Sequence, residues 1–196
     1  MKTLFIASSN QGKIKEMKAL LGTVPYLVTS ALELPDKIEV EETGQSYREN
    51  ALLKAEAYRK LVKGLIVGED SGLEIRALDN KPGLYSARWL GEEAGDQEKN
   101  MEILRLLADV KDRRACFITL AALLAEDGTV TYFEGRVEGT IAYDQQGTNG
   151  FGYDPLFILP DGRRMAVISS EEKNLVSHRA RAFKQVAEYL RRREDD

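Results

Sequence analysis

Residues 3–17 read TLFIASSNQGKIKEM, an apolar run that passes through a polar turn into a segment with apolar residues at helical spacing. Residues 2–7 suit a central strand, while Ile14, Met17, Leu20 and Leu21 recur as one face of a helix, so the opening order is strand, turn, helix. Ser8, Ser9 and Asn10 are all N-cap types, able to satisfy amides that a first helical turn leaves without partners. With Gly12 and Lys13 the same turn is also a candidate anion site, because a helix N-terminus and an ammonium both favour negative charge. A Walker A loop is excluded, since it requires Gly where Ala7 stands and Ser or Thr where Ile14 stands. Gly147, Gly150 and Gly152 of GTNGFG have the wrong spacing for a dinucleotide fingerprint and precede a strand. Capping and phosphate binding both stay open for this turn.

Outward from this unit, strand and helix patterns continue to the end of the chain. PYLVTS at 25–30 reads as a second strand. Ser46 and Glu49 have capping-box spacing ahead of a helix with Ala51, Ala55 and Tyr58, and Leu52 beside them, on its apolar side. GLIVGEDSGLEIRAL at 64–78 reads as a strand, a tight acidic turn bracketed by Gly68 and Gly72, and a short second strand. Residues 79–96 resemble a surface loop turning at Pro82 and Gly83. A helix is expected over 96–108, and extended segments over 113–142 turn at the EDGT hairpin signal. Residues 147–162 form a Gly-rich loop entering a short strand, and one helix is expected over 171–193 with Ala182, Phe183, Val186, Ala187 and Leu190 on its stripe. The mixture predicts a single α/β domain over 1–196, with a hairpin-rich lobe around 113–143.

The 196 residues carry 28 Lys and Arg against 32 Asp and Glu, a net charge of −4, which does not favour a nucleic-acid backbone as partner. One Cys and one His cannot build an ordinary zinc or iron–sulfur centre, whereas an oxygen-ligand metal such as Mg2+ is allowed. No secretory leader pattern and no membrane-spanning apolar run occurs, so the expected location is the cytoplasm, without a membrane partner.

The acidic residues Glu41, Glu42, Glu69 and Asp70 fall in two clusters separated by a helix, and carboxylates at strand ends are natural Mg2+ ligands. A solvated acidic edge is the plainer alternative. SSEEKNLVSHRARAF at 169–183 supplies Lys173, His178, Arg179 and Arg181, where Lys offers a compact charge and Arg a planar fork for phosphate oxygens, with ordinary surface charge as the plainer alternative. GFGYDP at 150–155 combines permissive glycines with Phe151 and Tyr153, either able to stack on a base or to pack in the core, and Asp154, able to read a base's polar edge. Trp89 and Cys116 read most simply as packing residues.

In combination, SSNQGKIKE, EETGQSYRENALLKA, EDSGLEI, PGLYSARW, GFGYDPLF and EEKNLVSHRARA resemble the successive signatures of the inosine/xanthosine triphosphate pyrophosphatase family, the house-cleaning nucleotide hydrolases, from about residue 3 to residue 190. The resemblance implies an elongated mixed β-sheet flanked by helices, in two lobes with a central cleft. It implies Mg2+-dependent hydrolysis of ITP, dITP or XTP at the α–β phosphate bond, giving the monophosphate and pyrophosphate, by a homodimer. On the matching motifs, Ser8, Ser9, Asn10, Gln11, Gly12 and Lys13 would hold the triphosphate, and Glu42 and Asp70 the metal. Asp70, Lys13 and Glu42 would be catalytic, with Asp70 taking the proton of the water, and Ser71 would touch substrate. Phe151, with Gly152 and Tyr153, would meet the purine, Asp154 would sit at the base pocket, and Lys173, His178 and Arg179 would complete the contacts. Glu69 departs from the Asp common at that position, which leaves the geometry of an extra metal ligand open. The other reading of the chain is a nucleotide-binding or sensing protein without turnover.

Overall fold

The computed structural model describes residues 2–195 apart from 37 and 92. In chain order the elements are β1 Thr3–Ala7, α1 Gln11–Leu21, β2 Leu27–Ser30, α2 Tyr47–Tyr58, β3 Leu65–Ile75, β4 Lys81–Pro82, α3 Asp96–Leu106, β5 Arg114–Leu124, β6 Val130–Ile141, β7 Phe157–Ile158, α4 Ser170–Val176 and α5 His178–Asp195. Among the described residues the strands form one seven-stranded sheet ordered β2-β1-β3-β5-β6-β7, with β4 on β3. The sheet is mixed: β1 is parallel to β2 and β3, whereas β3–β4 and β6–β7 are antiparallel.

Two compact units divide the chain, residues 1–70, 119–135 and 178–196 in the first and residues 71–118 and 136–177 in the second. In the first, side-chain alternation sorts β1 and β3 onto two faces. Leu4, Ile6, Leu65 and Val67 pack with Ile14, Met17 and Leu21 of α1 and with Ala182, Phe183, Val186, Ala187 and Leu190 of α5. Phe5, Ala7 and Ile66 pack with Ala55 and Tyr58 of α2. Burial on both faces explains why the β1 sequence reads as continuous apolar rather than alternating. The second unit has its own core, in which Leu73, Ile75, Ile103, Phe117, Val137 and Phe157 meet, with Trp89 packed against it. Cys116 is buried in β5, and burial pushes its thiol up to about 11.

Three sequence expectations are corrected. There is no acidic turn at 68–72, because β3 runs unbroken through Glu69 and Asp70. Gly68 serves close packing instead: a Cβ there would lie 2.0 Å from the Ala51 carbonyl oxygen of α2. The segment 79–96 is more structured than a loop, with β4 followed by a 3-10 turn at Gly83–Tyr85, while residue 92 lies outside the described residues. The last helix is two, because Ser177 takes an extended conformation (φ −70°, ψ 161°) between α4 and α5. By contrast, the EDGT hairpin is formed as expected, Ala125 N–H donating to the Thr129 carbonyl at 2.9 Å. Among the described residues no helix is long and apolar enough to cross a membrane.

Gly68→Ala is therefore expected to lower the unfolding free energy by about 1–3 kcal/mol, the usual cost of overpacking. Urea denaturation measures it, and an unchanged midpoint would mean that α2 does not cross β3 at this distance.

Candidate functional site

The polar turn after β1 first does a structural job. Asn10 is the N-cap of α1, its Oδ1 accepting the Lys13 N–H at 3.0 Å, and Ser8 Oγ accepts the Asn10 N–H at 3.2 Å. Ser9, Gln11 and Gly12 stand in the same cap and first turn. Capping fixes where α1 begins and so where the Lys13 side chain starts.

Lys13 Nζ then reaches Glu69 Oε2 at 2.8 Å, and the other Glu69 oxygen accepts from Arg179 Nη2 at 2.9 Å and from Thr119 Oγ1 at 3.2 Å. Arg179 also donates from Nη1 to Glu16 Oε2 at 2.6 Å. Glu69 and Arg179 are each 1% exposed. Burial alone would push the Glu69 carboxyl up, but the charges of Arg179 and Lys13 outweigh it and hold the group well below the usual carboxylate range. For Arg179, burial opposes the charge, and Glu69 and Glu16 more than offset it, raising its pKa. His178 is buried at the start of α5, and its carbonyl oxygen would lie 2.0 Å from a Cβ on Gly135 of β6. Only glycine there lets the first turn of α5 settle on the strand.

Asp70 is the next residue of β3 and so faces the α2 side. Its Oδ1 accepts from Lys54 Nζ at 2.8 Å, and its Oδ2 from Asn50 Nδ2 at 3.3 Å. Lys54 also bonds Glu42 Oε1 at 2.6 Å, so two carboxylates from separate segments converge on one ammonium. Asn50 ties the same two segments a second time, its Oδ1 accepting the Gly44 N–H at 2.8 Å. Burial raises the Asp70 pKa, with the Glu42 charge adding to it and Lys54 and Lys13 opposing. Burial weakens the Lys54 ammonium, yet Asp70 and Glu42 outweigh that and raise its pKa.

Converging carboxylates are also the donor chemistry of a hard divalent cation. Glu42 and Asp70 fit such an ion, because their oxygens are already gathered about one positive charge. Among the described residues no group of three or more His, Cys, Asp or Glu is placed to hold a metal. Water and substrate oxygens would have to supply the rest of a coordination shell.

In the second unit, Ser71 continues β3, and the loop at 150–154 is built around Asp154. That carboxylate is 3% exposed; its Oδ2 accepts the Phe151 N–H at 2.9 Å and pairs with the Lys173 ammonium. Gly150 (φ +78°) is required, since a Cβ there would lie 2.0 Å from Asp154 Oδ2. Lys173 Nζ also lies 4.9 Å from the centre of the Phe151 ring, a cation–π distance. Tyr153 is buried, its hydroxyl donating to the Ser86 carbonyl at 2.8 Å, so Phe151 rather than Tyr153 is the half-buried aromatic of this loop.

Sequence reasoning missed Asn50, Lys54 and Glu16. The signal was present: Asn50 and Lys54 are four residues apart on a helix that follows the acidic ETG segment, and Glu16 is three residues beyond Lys13. Reading α2 only for its apolar side passed over its polar one.

Glu69→Gln should cost about 3 kcal/mol at neutral pH, because it sets the buried Arg179 guanidinium, which keeps Glu16, and the part-exposed Lys13 ammonium against a neutral amide. The wild-type carboxylate has a depressed folded-state pKa, so its contribution is complete above the ordinary value of 4.5 and is lost progressively as pH falls below it. Denaturation from pH 7 to pH 3 should accordingly show a shallower acid-side loss in the variant, and equal slopes would refute the assignment.

Residues 4–189 match the Ham1 family. The chain is 42% identical over 193 residues to the dITP/XTP pyrophosphatase of Halalkalibacterium halodurans, covering 97% of this chain and 100% of that protein. It is also 42% identical to the dITP/XTP pyrophosphatase of Staphylococcus aureus strain MRSA252, with 97% of each chain covered. Among solved structures, the Ham1 protein of Staphylococcus aureus superposes with a TM-score of 0.86 at 39% identity over 100% of both chains. A Ham1 protein of Coxiella burnetii gives 0.83 at 38% identity, over 97% of this chain and 98% of the other. With a match that runs almost from end to end and a shared mixed-sheet fold, the chain belongs to the Ham1 family.

Proposed function

We propose that this protein hydrolyses non-standard purine nucleoside triphosphates, ITP, dITP or XTP, at the α–β phosphate bond, releasing the nucleoside monophosphate and pyrophosphate. The observation that carries the chemistry is the convergence of Glu42 and Asp70 on Lys54, with Lys13 of the same unit beside Glu69. The substrate class is supported by relatives named dITP/XTP pyrophosphatase along nearly the whole chain.

Hydrolysis needs positive charge on the phosphates and an acceptor for one proton of water. Lys13 and Lys54 supply ammonium groups for phosphate oxygens, and the turn from Ser8 to Gly12 offers short polar groups and the N-terminus of α1. Water adds to a phosphorus of the α–β anhydride, the bridging P–O bond breaks, and the proton passes to Asp70. Burial raises the pKa of Asp70 in the protein without a metal, and with a cation bound the carboxylate would accept the proton because the cation makes the water more acidic. Mg2+ held by Glu42 and Asp70 would neutralise phosphate charge and lower the pKa of bound water. Phe151 stacks on the purine, and Asp154 and Lys173 hold the loop that presents it. Purines with an oxygen at C6 are separated from adenine by a donor aimed at that position, which leaves an amino group badly paired, and from guanine by the lack of an acceptor for its 2-amino group. Arg179 acts mainly by holding Glu69 and, through it, Lys13, and His178 and Ser71 complete the contacts. The chain acts as one nucleotide-hydrolysing domain, in the cytoplasm and as a homodimer, a reading that rests on the family resemblance.

Incubation with dITP, XTP, ITP, GTP and ATP, with Mg2+ or EDTA, tests the reading. Monophosphate and pyrophosphate should appear from dITP and XTP far faster than from ATP or GTP, and only with the metal. Orthophosphate as first product, or binding without turnover, would overturn it. Asp70→Asn should lower kcat by about 100-fold or more, as expected on losing a positioned general base, with circular dichroism unchanged. Lys54→Met should lower kcat/KM and release the Glu42 segment, read as faster proteolysis at 39–45.

A further inference from the structure

The first turns of α3 carry polar side chains that neither helix formation nor the core requires. Asp96, the first residue of α3, accepts the Gly152 N–H on its Oδ2 at 2.7 Å, while the adjoining Gly95 N–H is taken by Glu98. Asn100, four residues on and so on the same side of the helix, donates from Nδ2 to the Gly152 carbonyl at 3.0 Å and to Gln145 Oε1 at 3.3 Å. Both peptide groups flanking Gly152 are thus held by one helix, around a residue in the left-handed region (φ +62°).

The consequence falls on Phe151. Its own N–H is held by Asp154, and its following peptide, the one that contains the Gly152 N–H, is held by Asp96. Pinning both peptides fixes the backbone torsions that aim the ring. Asn100 is kept at a cost: it is 2% exposed, and its Oδ1 has no hydrogen-bond partner among the described residues. Turning the amide over would set that oxygen against the Gly152 carbonyl, so the residue's value lies in its donor group. A buried acceptor without a partner is destabilising, so what Asn100 contributes lies in the two bonds it donates to the 152 loop and to Gln145.

We infer that Asp96 and Asn100 are positioning residues for nucleobase discrimination, acting by immobilising the Gly152 peptides and so the direction of the Phe151 ring. The inference rests on the reading of Phe151 as the purine-stacking residue. Preorganised contact groups need a supporting shell, and small misplacements of a recognition group are amplified in rate. Neither residue touches the substrate in this scheme.

The test compares Asp96→Ala, Asp96→Asn, Asn100→Leu and Phe151→Ala in the full chain. Asp96→Ala and Asn100→Leu should each raise KM for dITP or XTP about tenfold or more, with kcat changed less, and narrow the preference over dGTP. Asp96→Asn, whose amide oxygen can still accept, should restore wild-type values. Inhibition by inorganic tripolyphosphate, which has no base, should be unchanged throughout. Asn100→Leu should stay folded under assay conditions and unfold in urea at only a slightly lower concentration than wild type, and exchange of the Gly152 amide, followed by NMR without substrate, should accelerate in Asp96→Ala. Wild-type KM and base ranking in both variants, with Phe151→Ala impaired, would overturn the positioning role alone. A fully active, fully selective Phe151→Ala would overturn the stacking assignment beneath it. Parallel weakening of tripolyphosphate inhibition would also refute the inference, since the effect would then not be specific to the base. If Asp96→Ala fails to fold, Asn100→Leu decides between these outcomes.

Discussion

A carboxylate with 1% exposure in the middle of β3 has to be compensated, and Glu69 recruits its partners from three other elements. Lys13 comes from α1, Thr119 from β5 and Arg179 from α5. Desolvation makes an unpaired charge there prohibitive, so the arrangement works only if all four elements are in place together. The docking of α5 is constrained most tightly. Its first turn must bring the Arg179 guanidinium to Glu69 and Glu16 while its backbone passes over Gly135 without a Cβ in the way. The apolar stripe from Ala182 to Leu190 then supplies the packing that this geometry permits.

Strand alternation turns that constraint into a site. Because Glu69 is committed to the α1 and α5 side, Asp70 is delivered to the α2 side, where Asn50 and Lys54 meet it. Two adjacent acids therefore have different electrostatic fates. The neighbours of Glu69 depress its pKa, so it stays charged and structural, while burial raises that of Asp70. Lys54 is shared by Glu42 and Asp70, and Asn50 ties Gly44 to Asp70, so the otherwise irregular segment at 39–45 is tied to α2 and β3 twice. The loop at 150–154 repeats the device with different chemistry: Asp154 and Asp96 bind successive backbone amides around one aromatic ring.

Much of this was legible before any coordinates. The period of Ile14, Met17 and Leu21, the cap residues before them, the EDGT turn and the apolar stripe of α5 are local signals, and each became the element it announced. The ordered motifs along the chain also identified the family. Expectations failed where a residue's local meaning was ambiguous. Glycines on both sides of an acidic pair resemble a turn, but Gly68 is present because α2 passes close to the strand, a contact between segments more than a dozen residues apart. Ser177 is a residue type that caps helices, but its signal lies inside one continuous helical pattern, and it is extended and ends one helix so that another can start at His178.

The sequence by itself determined β1, α1, α2, α3 and the β5–β6 hairpin in their order, the exclusion of Walker and dinucleotide loops, and which side chains carry charge. Those properties depend on torsional preference and on periodicity within a few residues. Only the tertiary structure decided how the charges are paired: that Arg179 is committed to Glu16 and Glu69, that Lys173 serves Asp154 and Phe151, and that Lys54, unremarkable in the sequence, joins Glu42 to Asp70. A charged side chain buried far from its partners in the chain has no local preference that names its partner. Desolvation enforces the pairing only once the backbone has brought distant segments together.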